Sequence, residues 1–254
     1  MTTTKIAIPS TKGNLAAVVH HPQTKTKKLA ILFPGYLDSK DHPHLTTLAE
    51  ELAERGYTAV RFDPTGTWES EGAISDYSVT QYLADVKNVF EHMLREGHYT
   101  HILLGGHSIG GLVAITYAAR DPRISVVLAI MSPYSPAKQS KKEMVDRWEK
   151  ENQRISLRSL PGTTEKKEYR VPFSFAKDSF RYNALDEVGA LQASLILVVG
   201  TLDEVILPED IELLFGVAHE PKKLIVAEGV GHDYRHNNDE VKMVNKLILE
   251  QMNK

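Results

Sequence analysis

The densest chemistry in the chain lies in Gly105-Gly106-His107-Ser108-Ile109-Gly110-Gly111. This stretch contains G-x-S-x-G, follows the apolar run Ile102–Leu104 and precedes a segment of helical period. A serine on so tight a strand-to-helix turn lifts its hydroxyl above the sheet, and glycines at 106 and 110 leave the turn free of side chains. The helix N-terminus that follows favours negative charge beside it. Ser108 is the candidate nucleophile. A serine needs a base, and 11 histidines compete. His232, in Gly229-Val230-Gly231-His232-Asp233, comes directly after the apolar run Lys223–Ala227, so it sits on a loop at the same sheet edge. His107 adjoins the serine, but a neighbouring side chain points away at such a turn. His42, His44, His98, His101, His219 and His236 are expected to face solvent. The base needs a carboxylate to hold its tautomer and to stabilise its cation. Asp203, in Gly200-Thr201-Leu202-Asp203-Glu204, follows the run Leu195–Val199 and is favoured over Glu204 and Asp233. Finally, Phe33-Pro34-Gly35-Tyr36 ends a further apolar run. The backbone N–H groups of Tyr36 and Ile109 are the candidate donors to a developing oxyanion.

The elements that must position these residues are short apolar runs alternating with helical segments. Lys5–Ile8 and Leu15–His20 flank a Lys12-Gly13-Asn14 turn and read as an antiparallel pair. Leu29–Phe33, Tyr57–Phe62, Ile102–Leu104, Ile124–Ile130, Leu195–Val199 and Lys223–Ala227 read as buried strands. Between them, His44–Arg55 carries Leu45, Leu48, Ala49, Leu52 and Ala53 at helical spacing. Val79–Arg95, Leu112–Ala119, Ile211–Phe215 and Glu240–Met252 also read as helices. Such alternation predicts an α/β fold with a mainly parallel sheet and helices on both faces. Chemistry in such sheets collects at the carboxyl ends of the strands.

One interval breaks the rhythm. About 60 residues separate Ile130 from Leu195, far more than a crossover helix needs. Ser135–Glu151 reads as a charged helix. Ile155–Leu160, a Pro161-Gly162 turn and the alternating Tyr169, Val171, Phe173 and Phe175 read as a β-hairpin. The expectation is one domain over 1–254 with a lid inserted at 134–190, in which Trp148, Phe173 and Phe175 line the substrate pocket. Lys138–Arg170 holds ten basic and six acidic residues, +4 against −7 for the rest of a chain of net −3. That excess reads either as a solvated helix face or as attraction for an anionic acyl donor.

Composition narrows the function classes. There are 30 Lys+Arg against 33 Asp+Glu, so no basic excess points to nucleic acid. No cysteine is present, which removes disulfides, zinc-thiolate sites and a cysteine nucleophile together. No apolar run of membrane-spanning length occurs, and no signal peptide is visible, so a cytoplasmic protein is expected. His232 and His236 are four apart, but no carboxylate pattern supports a metal there. The glycines at 105–111 lack the Lys-Ser/Thr ending of a phosphate loop. Neither metal nor other cofactor is expected.

Taken in order, these motifs resemble the α/β-hydrolase superfamily from about Ile6 to Met252. Pro34-Gly35-Tyr36 stands where members usually carry His-Gly-x. Arg61–Gly72 is similar to the D-x-x-G-x-G-x-S-x-G loop, with Trp68 a departure from it. Within the superfamily, the chain looks like small serine esterases of the feruloyl/cinnamoyl esterase and monoacylglycerol lipase group, and Val171–Phe175 and Tyr182–Leu185 resemble the small lid of the former. The resemblance implies hydrolysis of a small-molecule carboxylic ester through an acyl-enzyme. Thioester or amide cleavage by the same triad is the alternative, and a non-catalytic receptor on the scaffold is the other class. A homodimer is compatible with all of these.

Overall fold

The structure, a computed structural model, describes residues 1–252. In chain order its elements are β1 (Thr2–Ser10), β2 (Gly13–His21), β3 (Lys28–Phe33), α1 (Pro43–Glu54), β4 (Tyr57–Phe62), α2 (Val79–Glu96), β5 (His101–His107), α3 (Ile109–Ala118) and β6 (Val126–Ile130). After these come α4 (Pro136–Gln139), α5 (Lys142–Glu151), β7 (Gln153–Ser159), β8 (Lys166–Pro172), α6 (Phe173–Ser179), α7 (Ala184–Glu187), β9 (Ser194–Gly200), α8 (Pro208–Val217), β10 (Lys222–Ala227) and α9 (Asn238–Met252). Eight strands form one sheet in the order β1-β2-β4-β3-β5-β6-β9-β10. β1 pairs antiparallel with β2, and β2 with β4; every later pair is parallel. This is the mainly parallel sheet that the alternating runs predict.

The continuous apolar runs are explained by two covered faces. Along β3, Leu29, Ile31 and Phe33 enter one core with side chains of α2, α3 and α8. Ala30 and Leu32 enter the other, with α1 and α9. Local signals set the helix ends. Pro43 begins α1, where its missing N–H costs nothing. The Ser78 hydroxyl caps α2 by accepting the Gln81 N–H at 3.0 Å. The chain leaves β3 for β4 on one side and reaches β5 on the other, so β3 and β5 are neighbours at a reversal of winding. The crevice at their carboxyl ends is where such sheets place ligands.

Between β6 and β9 the chain builds α4, α5, a two-stranded antiparallel hairpin of β7 and β8, α6 and α7. The helix and hairpin occur as expected, with one correction. The strand ends at Pro172, and Phe173 and Phe175 lie in α6. The period-two pattern runs on through Phe175, but Pro172 is compatible with a helix start and the helix takes over. Trp148 and Phe173 are each 5% exposed and continuous with the main apolar core.

The turn after β5 has no room for additional atoms. A Cβ on Gly106 would lie 2.2 Å from the Gly110 carbonyl carbon, and one on Gly110 would lie 2.7 Å from both the Phe33 and Pro34 carbonyl oxygens. Gly106→Ala is therefore expected to lower stability by about 1–3 kcal/mol through overpacking. Gly189→Ala, where the nearest atom would be 3.9 Å away, should stay within about 0.5 kcal/mol. Thermal and denaturant unfolding of the two variants checks this; equal stability of both would contradict the crowding.

Candidate active site

Ser108 sits between β5 and α3 with φ 53° and ψ −124°. A positive φ is costly for a residue with a Cβ. Its hydroxyl oxygen lies 3.0 Å from His232 Nε2. The other ring nitrogen, Nδ1, lies 2.8 Å from Asp203 Oδ2. Asp203 is held in turn: its Oδ1 accepts the N–H groups of Val205 and Ile206, each at 2.8 Å. The three residues come from the ends of β5, β9 and β10, and the structure brings them into one chain of contacts. Glu204 is exposed, and Asp233 turns to Arg235, so neither takes the place of Asp203.

Tyr36 and Ile109 line the same cavity as Ser108 and His232, which has a volume of about 410 Å³. Gly35 explains the approach of the Tyr36 loop. A Cβ there would lie 3.3 Å from Ser108 Cβ and 2.9 Å from Asp38 Oδ2. Among the described residues neither the Tyr36 nor the Ile109 N–H has a protein acceptor, so both donors are free for a ligand oxygen. Trp148 and Phe175 are also in the wall. The Phe175 ring lies 4.8 Å from Tyr77 and 4.9 Å from Tyr36. Phe173 is not in the wall: it packs against the Trp148 ring at 6.3 Å. Its move from strand to helix turns it behind the pocket, which corrects the expectation.

Under His232 lies a buried polar layer that the motifs do not announce. His107 is fully buried rather than pointing away. Its ring centroid is 4.8 Å from that of His232, and its Nε2 lies 3.1 Å from the His232 carbonyl oxygen. Nε2 must donate there, so in the neutral ring Nδ1 is a bare lone pair, 3.8 Å from Asp38 Oδ2. Arg235 Nε sits 3.2 Å from the other Asp38 oxygen. Burial alone would raise the Asp38 pKa. The Arg235 guanidinium outweighs it and holds the carboxyl well below the usual range. Burial lowers the His107 pKa from 6.5 to about 4, and drives His44 down as well. Asp38, His44 and His107 offer ligand atoms within 4.8 Å of one another, a spacing a metal ion can use. However, Arg235 already neutralises the carboxylate.

His42 and His44 are thus buried, 3% and 1% exposed, contrary to the expectation of solvent-facing rings. His101 is half-buried, bonded to the Tyr57 hydroxyl at 3.1 Å. His42 Nδ1 accepts the Ser39 N–H at 3.1 Å, and its Nε2 donates to the Ser159 carbonyl at 3.3 Å. That bond ties the Tyr36 loop to the end of β7. Trp68, at φ 45°, makes a second tie. Its Nε1 donates to the Leu37 carbonyl at 3.0 Å, its N–H to the Tyr169 hydroxyl at 2.8 Å, and its carbonyl accepts Lys167 Nζ at 3.0 Å. Lys40 forms a third contact. Its N–H and Nζ reach Asp63 at 2.8 and 3.0 Å, joining the loops after β3 and β4. No sequence signal marks Asp38, His107 or Arg235. The charge excess of 138–170 was the available signal for Arg154 and Arg158, which line the cavity.

The family model described as serine aminopeptidase, S33, matches residues 24–181. The mitochondrial palmitoyl-protein thioesterase ABHD10 of Rattus norvegicus is 25% identical over 189 residues, 73% of this chain and 62% of the rat protein. The chain therefore covers less than two thirds of that relative's length. Est1E from Butyrivibrio proteoclasticus, solved with ferulic acid bound, aligns with a TM-score of 0.76 at 20% identity, over 98% of this chain and 100% of that one. Alpha/beta hydrolase domain-containing protein 10 from mouse aligns with a TM-score of 0.75 at 17% identity, over 98% of each chain. These structural likenesses show the α/β-hydrolase fold.

The buried histidine gives a pH dependence. A folded-state pKa of about 4 against an ordinary 6.5 means the unfolded chain binds more protons between those values. Stability contributed by neutral His107 is thus complete above pH 6.5 and is lost as pH falls towards 4, on the order of 3 kcal/mol. His44 acts in the same direction. Asp38, with its lowered pKa, adds a loss only once pH falls below the usual carboxylate range. Denaturant unfolding between pH 4 and 7 should show this slope, and His107→Gln should flatten it. An unchanged slope in the variant would contradict the burial of a neutral ring.

Proposed function

The chain belongs to the serine aminopeptidase S33 family of α/β-hydrolases, and on that premise we propose that it cleaves carboxylic esters of small molecules through an acyl-enzyme. The observation that carries the reading is the contact chain Ser108 Oγ–His232 Nε2 at 3.0 Å and His232 Nδ1–Asp203 Oδ2 at 2.8 Å, opening on a cavity. Ser108 Oγ attacks the ester carbonyl as His232 takes its proton. The negative charge that develops on the carbonyl oxygen meets the N–H groups of Tyr36 and Ile109. The tetrahedral adduct collapses, the C–O bond to the leaving group breaks, and His232 returns the proton to give an alcohol. A water then attacks the acyl-enzyme, His232 takes one of its protons and passes it to Ser108 Oγ, and the acid leaves. Asp203 keeps Nδ1 protonated throughout. Segment 134–190 acts as the lid, with Trp148 and Phe175 shaping the acyl pocket.

Thioester cleavage is the second reading, favoured by the palmitoyl-protein thioesterase activity of the rat relative. The triad chemistry is common to both, and the leaving group differs. Matched oxygen esters, thioesters and amides assayed side by side separate the two, and faster thioester turnover would replace the ester reading.

An organophosphonate should label Ser108 alone, read by mass spectrometry; an adduct on another serine would remove the assignment. Ser108→Ala and His232→Ala should each lower kcat by roughly 10⁴–10⁶, and the double variant should lose little more. Asp203→Asn should cost about 10³–10⁴. Additive losses, or near-normal activity of Asp203→Asn, would contradict a shared proton path. Trp148→Ala should change kcat/KM unequally for short and bulky acyl esters, by about 1–3 kcal/mol; equal losses that track melting temperature would reduce Trp148 to packing.

A further inference from the structure

Strand β7 is built inside out. Its outward residues Ile155 and Leu157 are 53% and 58% exposed. Arg154, Ser156 and Arg158 alternate with them and are paired with Val171, Tyr169 and Lys167 of β8. A strand that only covered an apolar core would carry the opposite pattern.

The two inward arginines also lack counter-charges. Elsewhere in the insertion Arg147, Arg170 and Arg181 pair with Glu151, Glu168 and Asp178. Arg154 and Arg158 line the cavity with Ser108 and have no carboxylate partner among the described residues. Arg154 instead lies 3.0 Å from Met144 Sδ. The Arg158 guanidinium lies over the Tyr36 ring, 5.2 Å from its centroid. Three buried polar atoms collect here without a partner: Arg158 Nε, Ser156 Oγ and the Tyr36 hydroxyl oxygen. Burial pushes the Tyr36 hydroxyl pKa up, opposed by Ser156, Arg154 and Arg158 beside it. Buried polar groups are normally satisfied, and an unpaired cluster on a pocket wall marks where a ligand completes the bonding. The acids in the wall are committed or belong to other loops: Asp38 and Asp233 bind Arg235, and Glu204 follows β9.

We infer that Arg154, Arg158, Ser156 and the Tyr36 hydroxyl form a subsite for an oxyanion, carboxylate or phosphate, carried by the substrate. A guanidinium fork fits either group, and a half-buried wall strengthens the contact. Tyr36 sets the spacing. Its backbone N–H is the proposed donor to the scissile carbonyl, and its hydroxyl edges the subsite, so the anion stands one tyrosine side chain from the reacting carbon. The inference rests on the hydrolase reading of Ser108 and names its substrate class as esters with an anionic group.

The test uses the full chain and matched substrates. p-Nitrophenyl valerate is compared with p-nitrophenyl hemiglutarate, which carries a carboxylate in place of the terminal methyl. Phenyl acetate is compared with the acetate ester of 4-hydroxyphenyl phosphate. In the unaltered protein kcat/KM should favour one anionic ester over its neutral partner. That ratio should fall roughly tenfold or more in Arg158→Gln and Arg154→Gln, and less in Arg158→Lys. Loss confined to the hemiglutarate pair assigns a carboxylate, and loss confined to the phosphate pair assigns a phosphate. Ratios identical in the unaltered protein and both glutamine variants overturn the subsite. Calorimetric titration of Ser108→Ala with glutarate and with inorganic phosphate gives a readout without turnover. One of them should bind, and binding should weaken when Arg158→Gln is added. If none of the four esters, neutral or anionic, is hydrolysed, the hydrolase reading fails, while the titration still decides the subsite. Absence of binding by both probes, together with no anion preference, overturns it.

Discussion

The turn at Ser108 is the constraint on which the other parts of the site depend. A serine at φ 53° costs on the order of 1–3 kcal/mol, so the surroundings must hold it there. Hydrogen bonding does part of this, with the Ser108 N–H on the Ile130 carbonyl at 2.8 Å. Close packing does the rest, since Gly106, Gly110 and Gly35 bring backbone to distances a Cβ would forbid. Once the turn is fixed, the hydroxyl stands above the sheet, the Ile109 N–H faces the same cavity, and α3 begins directly beneath. The apolar cores on both faces of β5 supply the rigidity that makes this strain affordable.

Around the turn, polar groups are used for position. The proposed base, His232, is met from below by His107, and Asp38 lies between His107 and Arg235. His107, Asp38 and Arg235 are buried, so removing Arg235 leaves the Asp38 carboxylate without its counter-charge, which in a low-dielectric setting is costly. The loops after β3 and β4 are treated likewise. Lys40 and Asp63 bind them at one point and Trp68 at another. Loops usually move more than the elements they connect; these are cross-braced, and both the Tyr36 loop and the β7–β8 hairpin are tied to them.

The frame of the fold and the three contact-chain residues were legible because their signals are local. Strand period, glycines around Ser108, and apolar runs ending in Asp203 and His232 each sit within about ten residues. What was missed is non-local. His42 and His44 read as solvent-facing in sequence, and residues remote in the chain, among them Ser159 and Tyr234, cover them. Arg235 lies three residues past His232, yet besides the neighbouring Asp233 it pairs with Asp38, from the other half of the chain. Phe173 and Phe175 kept a strand period across a strand end, because the boundary is set by Pro172 and by packing against α2. The basic excess of 138–170 was visible, but only the alternation of β7 separates its inward arginines from those that merely pair on the surface.

Trp68 joins the hairpin to the loop that carries Tyr36, so the two behave as one mechanical piece. Swinging the hairpin outward breaks the bonds from Tyr169 and Lys167 to Trp68 and from His42 to Ser159, and pulls on Leu37, next to Tyr36. An opening on that side would displace the Tyr36 N–H, the proposed oxyanion donor. The opposite boundary is cheaper to part. There the α4–α5 corner is joined to α8 by a single side-chain bond, Gln139 to Asp210 at 2.8 Å, and no residue of the contact chain is attached to it. Under the proposed reading, passage and reactivity then fall to different walls of the cavity.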